Sequence, residues 1–165
     1  MYKIGEYVVY RHDVCIIKEI KENKLIGNTY YVMTPVDDDS LIIEIPIENK
    51  MGFLRSIIST EDAKELIKKI PKIKPLEGID EKKLEAKYKE LLNTGDYEDL
   101  IKIIKTTYLR NENRINNKKK TSEKDVNFFR LAEKYLYNEL AISLDMSVEE
   151  VKNYIFEIAN NELWF

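Results

Sequence analysis

Gly5-Glu6-Tyr7-Val8-Val9-Tyr10-Arg11-His12, followed by Cys15-Ile16-Ile17-Lys18-Glu19-Ile20, decides the fold of this chain. β-Branched and aromatic residues dominate both runs, and such side chains suit a pleated, half-buried surface. Lys21-Glu22-Asn23-Lys24 and Gly27-Asn28 then bracket a hairpin-like connection. Tyr30 to Met33 supplies a third strand and Leu41 to Ile45 a fourth, with Pro46 marking its exit or an edge. The polar turn Asp37-Asp38-Asp39-Ser40 between them must face water. Phe53 to Ile58 offers a fifth strand. Short antiparallel strands at this spacing predict a small, strongly bent barrel.

From Ser59 onward the period changes from two to that of a helix. Ser59 and Asp62 form a capping pattern before Ala63 to Ile70. Pro71-Lys72-Ile73-Lys74-Pro75 breaks that helix and predicts a stiff connector. Asp80 is placed to cap a helix with Leu84, Tyr88, Leu91 and Leu92 on one face. Gly95 stops it and Asp96 can cap the next, which carries Leu100, Ile103, Ile104 and Tyr108. Asn111 to Thr121 is polar and reads as a loop. Ser122 with Asp125, and Ser147 with Glu150, open two further helices bearing wide apolar stripes. The expected fold class is α+β. A five-stranded barrel spans residues 1–57 and a compact all-α domain of four to five helices spans 58–165, with a connector around 71–79.

The chain has 165 residues and a net charge of −3, but the charge is segregated. Lys102 to Lys134 holds ten basic and four acidic residues, whereas Tyr135 to Phe165 holds one basic and six acidic. A basic centre between acidic ends can bind phosphates locally without general stickiness. No stretch approaches the roughly 20 apolar residues needed to span a membrane, and the first residues hold no secretory signal. One cysteine cannot form an internal disulfide, which fits a reducing, cytoplasmic setting.

Two sets of residues, taken in order, carry a family resemblance. Gly5 to Tyr10, Tyr30 to Met33 and Ile43-Glu44-Ile45-Pro46 resemble the opening of the CarD/CdnL bacterial transcription regulators. Leu91-Leu92-Asn93-Thr94-Gly95-Asp96, Leu109-Arg110 and Ser122 through Ala141 resemble that family's carboxy-terminal domain in order and spacing. The resemblance implies a Tudor-like domain that docks on the β subunit of RNA polymerase. It implies a helical domain that contacts promoter double-stranded DNA at the upstream edge of the melted bubble and stabilises the open complex. Localisation is then cytoplasmic, at the nucleoid through the polymerase. The family's groove-wedging tryptophan would fall near Asp80, Glu81 and Lys82, where no aromatic stands.

Candidate contacts follow. On the strand side, Lys24, Tyr31, Met33, Ile43, Glu44 and Pro46 are placed to meet the polymerase, with Tyr31 and Glu44 expected to point outward. An available strand edge can extend a partner's sheet through backbone hydrogen bonds. On the helical side, Arg110, Arg114, Lys118, Lys119, Lys120, Lys124 and Arg130 form the main expected footprint on DNA, with Lys87 and Lys89 in a second set beside Lys82 and Lys83. A protein-only docking or dimerisation module without DNA contact is the alternative.

Little in the sequence supports catalysis. His12 is the single histidine and no nucleophile pattern accompanies it. Cys15 sits in an apolar strand as a small core hydrophobe. Asp37 to Asp39 reads as a solvated turn, without the distant ligands that would complete a metal shell. No glycine-rich phosphate cradle is present, so no metal and no cofactor are expected. Trp164-Phe165 is expected to pack into the helical core.

Overall fold

Five strands open the chain: β1 (Tyr7–Tyr10), β2 (Asp13–Asn23), β3 (Asn28–Pro35), β4 (Ile43–Pro46) and β5 (Leu54–Ser56). Five helices follow: α1 (Thr60–Lys69), α2 (Glu81–Thr94), α3 (Tyr97–Asn116), α4 (Glu123–Leu144) and α5 (Val148–Ile158). The computed structural model describes residues 1–159, so Trp164 and Phe165 lie outside the described residues. Two units result, one over Met1–Ile58 and a second that opens at Ser59.

The strand unit is one antiparallel sheet of order β4-β3-β2-β1-β5. β4 and β5 stand at its two edges, and no ladder joins them among the described residues. β2 and β3 run longer than expected, because Lys21, Glu22 and Asn23 pair with Tyr30, Thr29 and Asn28 out to the hairpin tip. A ladder needs only backbone partners, so it continues through polar residues that carry no hydrophobic signal. Gly27 turns the tip in the left-handed region at φ 73°. β4 begins only at Ile43, leaving Leu41 and Ile42 exposed before it. A register shift between Ile17 and Glu19 bends β2 against β3.

Val8, Cys15, Ile17, Tyr31, Met33 and Leu54 form the sheet's core. Burial pushes the Cys15 thiol up to about 12, so it packs as an inert apolar group. Tyr31 is buried, its hydroxyl accepting from the Tyr2 amide at 2.9 Å. The expectation that Tyr31 faces outward is therefore corrected: it shares a face with Met33, and the period of two sends both inward.

Three of the helices begin on serine caps. Ser59, Ser122 and Ser147 accept from the amides of Asp62, Asp125 and Glu150. Asp80 and Asp96 occupy the cap positions of α2 and α3 but make no side-chain cap bond. Beside the second, Thr94 Oγ1 accepts from the Asp96 amide instead. Gly95 ends α2 at φ 69°. α3 runs through Asn116, which corrects the loop expected from Asn111: only the segment after Asn116 connects α3 to α4. Asparagine is a poor helix former, but tertiary anchors on Arg110, Asn111 and Arg114 override propensity there.

The expected connector is held down rather than free. Buried Lys105 on α3 donates to the carbonyls of Ile70 and Ile73, and the Leu76 amide donates to Thr106 Oγ1 at 2.8 Å. Burial lowers the Lys105 ammonium from its ordinary 10.5 to about 8. Between those values the unfolded chain holds the proton and the folded chain has released it, so stability rises with pH. The helical unit is expected to gain about 1 kcal/mol between pH 7.5 and 9. Above pH 10 the trend reverses, because buried Tyr88 and Tyr137 hold their phenols well above the ordinary value. Denaturant titrations of the wild type and Lys105→Met, compared across pH, check this; the rise should vanish in the variant.

Candidate nucleic-acid interface and docking edge

The α2 start, the α3 end and the α4 start come together around one carboxylate. Ser122 caps α4 and exchanges bonds with Asn111, its amide donating to Asn111 Oδ1 at 2.8 Å. That pair closes the connecting loop onto α3. Three residues on, Asp125 is fully buried and accepts from Tyr88 Oη at 2.9 Å and from Arg110 Nε at 3.0 Å. The buried carboxylate thus fixes the guanidinium from behind. Arg110 Nη2 then faces Glu81, lying 2.8 and 2.7 Å from its two oxygens. Arg114 at 3.8 Å and Lys124 at 3.4 Å complete the ring of cations. Their charge, led by the Arg110 hydrogen bonds, holds the Glu81 carboxyl below its ordinary range.

Lys118, Lys119 and Lys120 differ from these residues. All three are exposed, and no ion pair engages them among the described residues. Lys118, two residues past the end of α3, adopts the left-handed region at φ 56°, and its amide donates to the Ile115 carbonyl. The loop therefore presents three uncommitted ammonium groups next to the α4 start. Lys82 and Lys83 are exposed at the α2 start, immediately after Glu81. Arg130 is exposed farther along α4. Lys87 and Lys89 lie on α2 and pair with Glu90 and Glu85, each at 3.5 Å.

The predicted footprint thus separates into two kinds of residue. Lys118 to Lys120 are exposed and engage no ion pair among the described residues, whereas Arg110, Arg114 and Lys124 pair with Glu81. Sequence reasoning missed Glu81 as their shared partner, because that residue lies 29 positions before Arg110. It also missed the orienting role of Asp125, which reads in the sequence only as part of a cap.

On the strand unit, β4 is the candidate docking edge. Glu44 and Pro46 are exposed there, Ile43 and Ile45 are half-buried, and Glu44 pairs with Lys21 at 3.6 Å. Lys24 is exposed at the hairpin tip beside exposed Leu25 and Ile26, two apolar residues the sequence did not single out. Tyr31 and Met33 are removed from the contact set, since buried side chains cannot touch a partner. A groove of about 570 Å³ runs beside the β4 exit, bordered by Tyr10, Arg11, Pro46, Met51 and Phe53, with the Arg11 guanidinium 4.7 Å above the Phe53 ring.

Among the described residues, no cluster of His, Cys, Asp or Glu could hold a metal ion. No described helix is long and apolar enough to cross a membrane. No model of a known protein family matches the chain, and no curated protein matches it.

Proposed function

We propose that this chain is a non-enzymatic regulator of bacterial transcription, with a Tudor-like barrel at its front. The β4 edge docks on the β subunit of RNA polymerase, and the helical unit holds promoter duplex beside the melted bubble, placing the protein at the nucleoid. The observation that carries this proposal is the exposed loop Lys118-Lys119-Lys120, unengaged by ion pairs among the described residues and set at the start of a helix of 22 residues. Exposed lysines and helix starts bind backbone phosphates without reading sequence. The outer edge of β4, which pairs with no strand among the described residues, supports the docking half, since such an edge can extend a partner's sheet. The resemblance to CarD/CdnL regulators joins the two halves into one activity.

A protein that binds the open complex about tenfold more tightly than the closed one shifts their equilibrium by about 1.4 kcal/mol. At promoters where escape is slow, the same contact lowers output. Promoter melting by purified bacterial polymerase, followed with and without saturating protein, tests this. Open-complex lifetime is expected to change by about tenfold. An unchanged lifetime on every promoter tried overturns the proposal. A protein-only docking module is the second reading, favoured by the internal pairing of Arg110, Arg114 and Lys124 with Glu81. Salt-independent or absent duplex binding would select it.

A further inference from the structure

Three cations from two helices converge on one carboxylate that is itself more than half exposed. Glu81 keeps 58% of its side-chain surface, while Arg110, Arg114 and Lys124 keep 28%, 33% and 26%. With Glu81 this open to water, each of its ion pairs is screened and contributes only modestly to stability. The cations are another matter. Arg110 is held from behind by fully buried Asp125, which is in turn held by Tyr88. Its outer nitrogen is therefore aimed at a fixed point whether or not Glu81 occupies that point. A guanidinium aimed in this way, flanked by a second arginine and a lysine, suits a tetrahedral phosphate at least as well as a carboxylate.

We propose that Arg110, Arg114 and Lys124 form a phosphate site on the helical unit, and that Glu81 is its built-in competitor, vacating the site when a phosphate enters. The preferred source is a backbone phosphate of duplex DNA, and to that extent the inference rests on the proposed function; the shared chemistry is a phosphate monoanion or dianion. Glu81 opens α2 and meets these cations only through the fold, 29 positions before Arg110 and 43 before Lys124, so a rotation of its side chain frees the site without moving the helix backbone. Its departure leaves Arg110 paired with Asp125, and Arg114 and Lys124 without an ion pair among the described residues. Duplex affinity is thereby kept low until enough other contacts hold the DNA in place.

The test uses the full chain and Glu81→Gln, with Glu81→Asp as a variant that keeps the charge on a shorter arm. Glu112→Gln is the control: it removes the same charge from the last turns of α3, where among the described residues no ion pair joins Glu112 to the three cations. In fluorescence anisotropy with a random-sequence duplex, E81Q is expected to bind roughly fivefold more tightly than wild type. Its slope of log affinity against log salt should steepen by about 0.9, one further phosphate neutralised. E112Q should change affinity less than about twofold, as expected of a half-buried charge that stands outside the contact. Equal effects of E81Q and E112Q overturn the competitor role. A second arm titrates inorganic phosphate while the arginine Nε–H signals are followed by NMR. Saturable shifts of Arg110 and Arg114, at lower phosphate in E81Q than in wild type, support the site even if no duplex binds, in which case the transcription reading alone falls. Unmoved arginine signals in E81Q overturn the site, whatever the chain does with DNA.

Discussion

Asp125→Ala is expected to destabilise the helical unit by about 3–5 kcal/mol in urea unfolding. The carboxylate is completely buried and receives Tyr88 Oη and Arg110 Nε. Truncation leaves a buried phenol hydroxyl without this acceptor and a partly buried guanidinium without its inner partner. The cost of such orphaned donors exceeds what the intact bonds contribute, because folding traded them against water. Tyr88→Phe takes the donor from buried Asp125 Oδ1 but leaves the carboxylate its bond from Arg110, and should cost about 1–3 kcal/mol. In the double variant Tyr88→Phe with Asp125→Ala, the second change should therefore cost less than it does alone, by roughly 1 kcal/mol. Strict additivity of the two changes would show that Asp125 does not act through this network.

Replacing Lys118, Lys119 and Lys120 together by Gln is expected to weaken duplex binding on the order of 100-fold near physiological salt. Each lysine that neutralises a phosphate releases counterions, so the salt slope should flatten by about 0.9 per residue, or about 2.7 in all. The loss should be uniform across DNA sequences, because phosphate contacts position without specifying. Stability should hardly change: all three side chains are exposed and engage no ion pair among the described residues. Anisotropy titrations over a salt series, with thermal unfolding of the same preparations, separate binding from folding. A triple variant that binds as tightly as wild type with an unchanged slope would remove the loop from the interface. The contrast with Glu81→Gln is diagnostic, since one change removes free cations and the other releases occupied ones.

Local signals were legible where the chemistry closes within a few residues. Ser59, Ser122 and Ser147 each cap a helix as their spacing to Asp62, Asp125 and Glu150 implied, because cap and amide lie three residues apart. Gly95 ends α2 for an equally local reason, its freedom to adopt positive φ. The alternation of Tyr7 to Tyr10 and Tyr30 to Met33 carried the strands, though not their inward face. Tyr30 and Tyr31 are adjacent aromatics, and only pairing with β2 and β4 decides which one is buried. The α3 end was illegible because its polar, Asn-rich composition argues for a loop while Arg110, Asn111 and Arg114 are anchored by residues elsewhere in the chain.

By itself the sequence determined the division into a strand-rich front and a helical remainder, most element starts, and the concentration of positive charge between Lys102 and Lys134. These follow from period, capping and composition, which act over a turn or two of chain. Only the tertiary structure decided which of those charges are available. It brought Glu81 against Arg110, Arg114 and Lys124, seated Lys105 under the connector, and left Lys118 to Lys120 in water. Electrostatic partners are chosen by distance in space, and no local pattern encodes a pairing across dozens of residues.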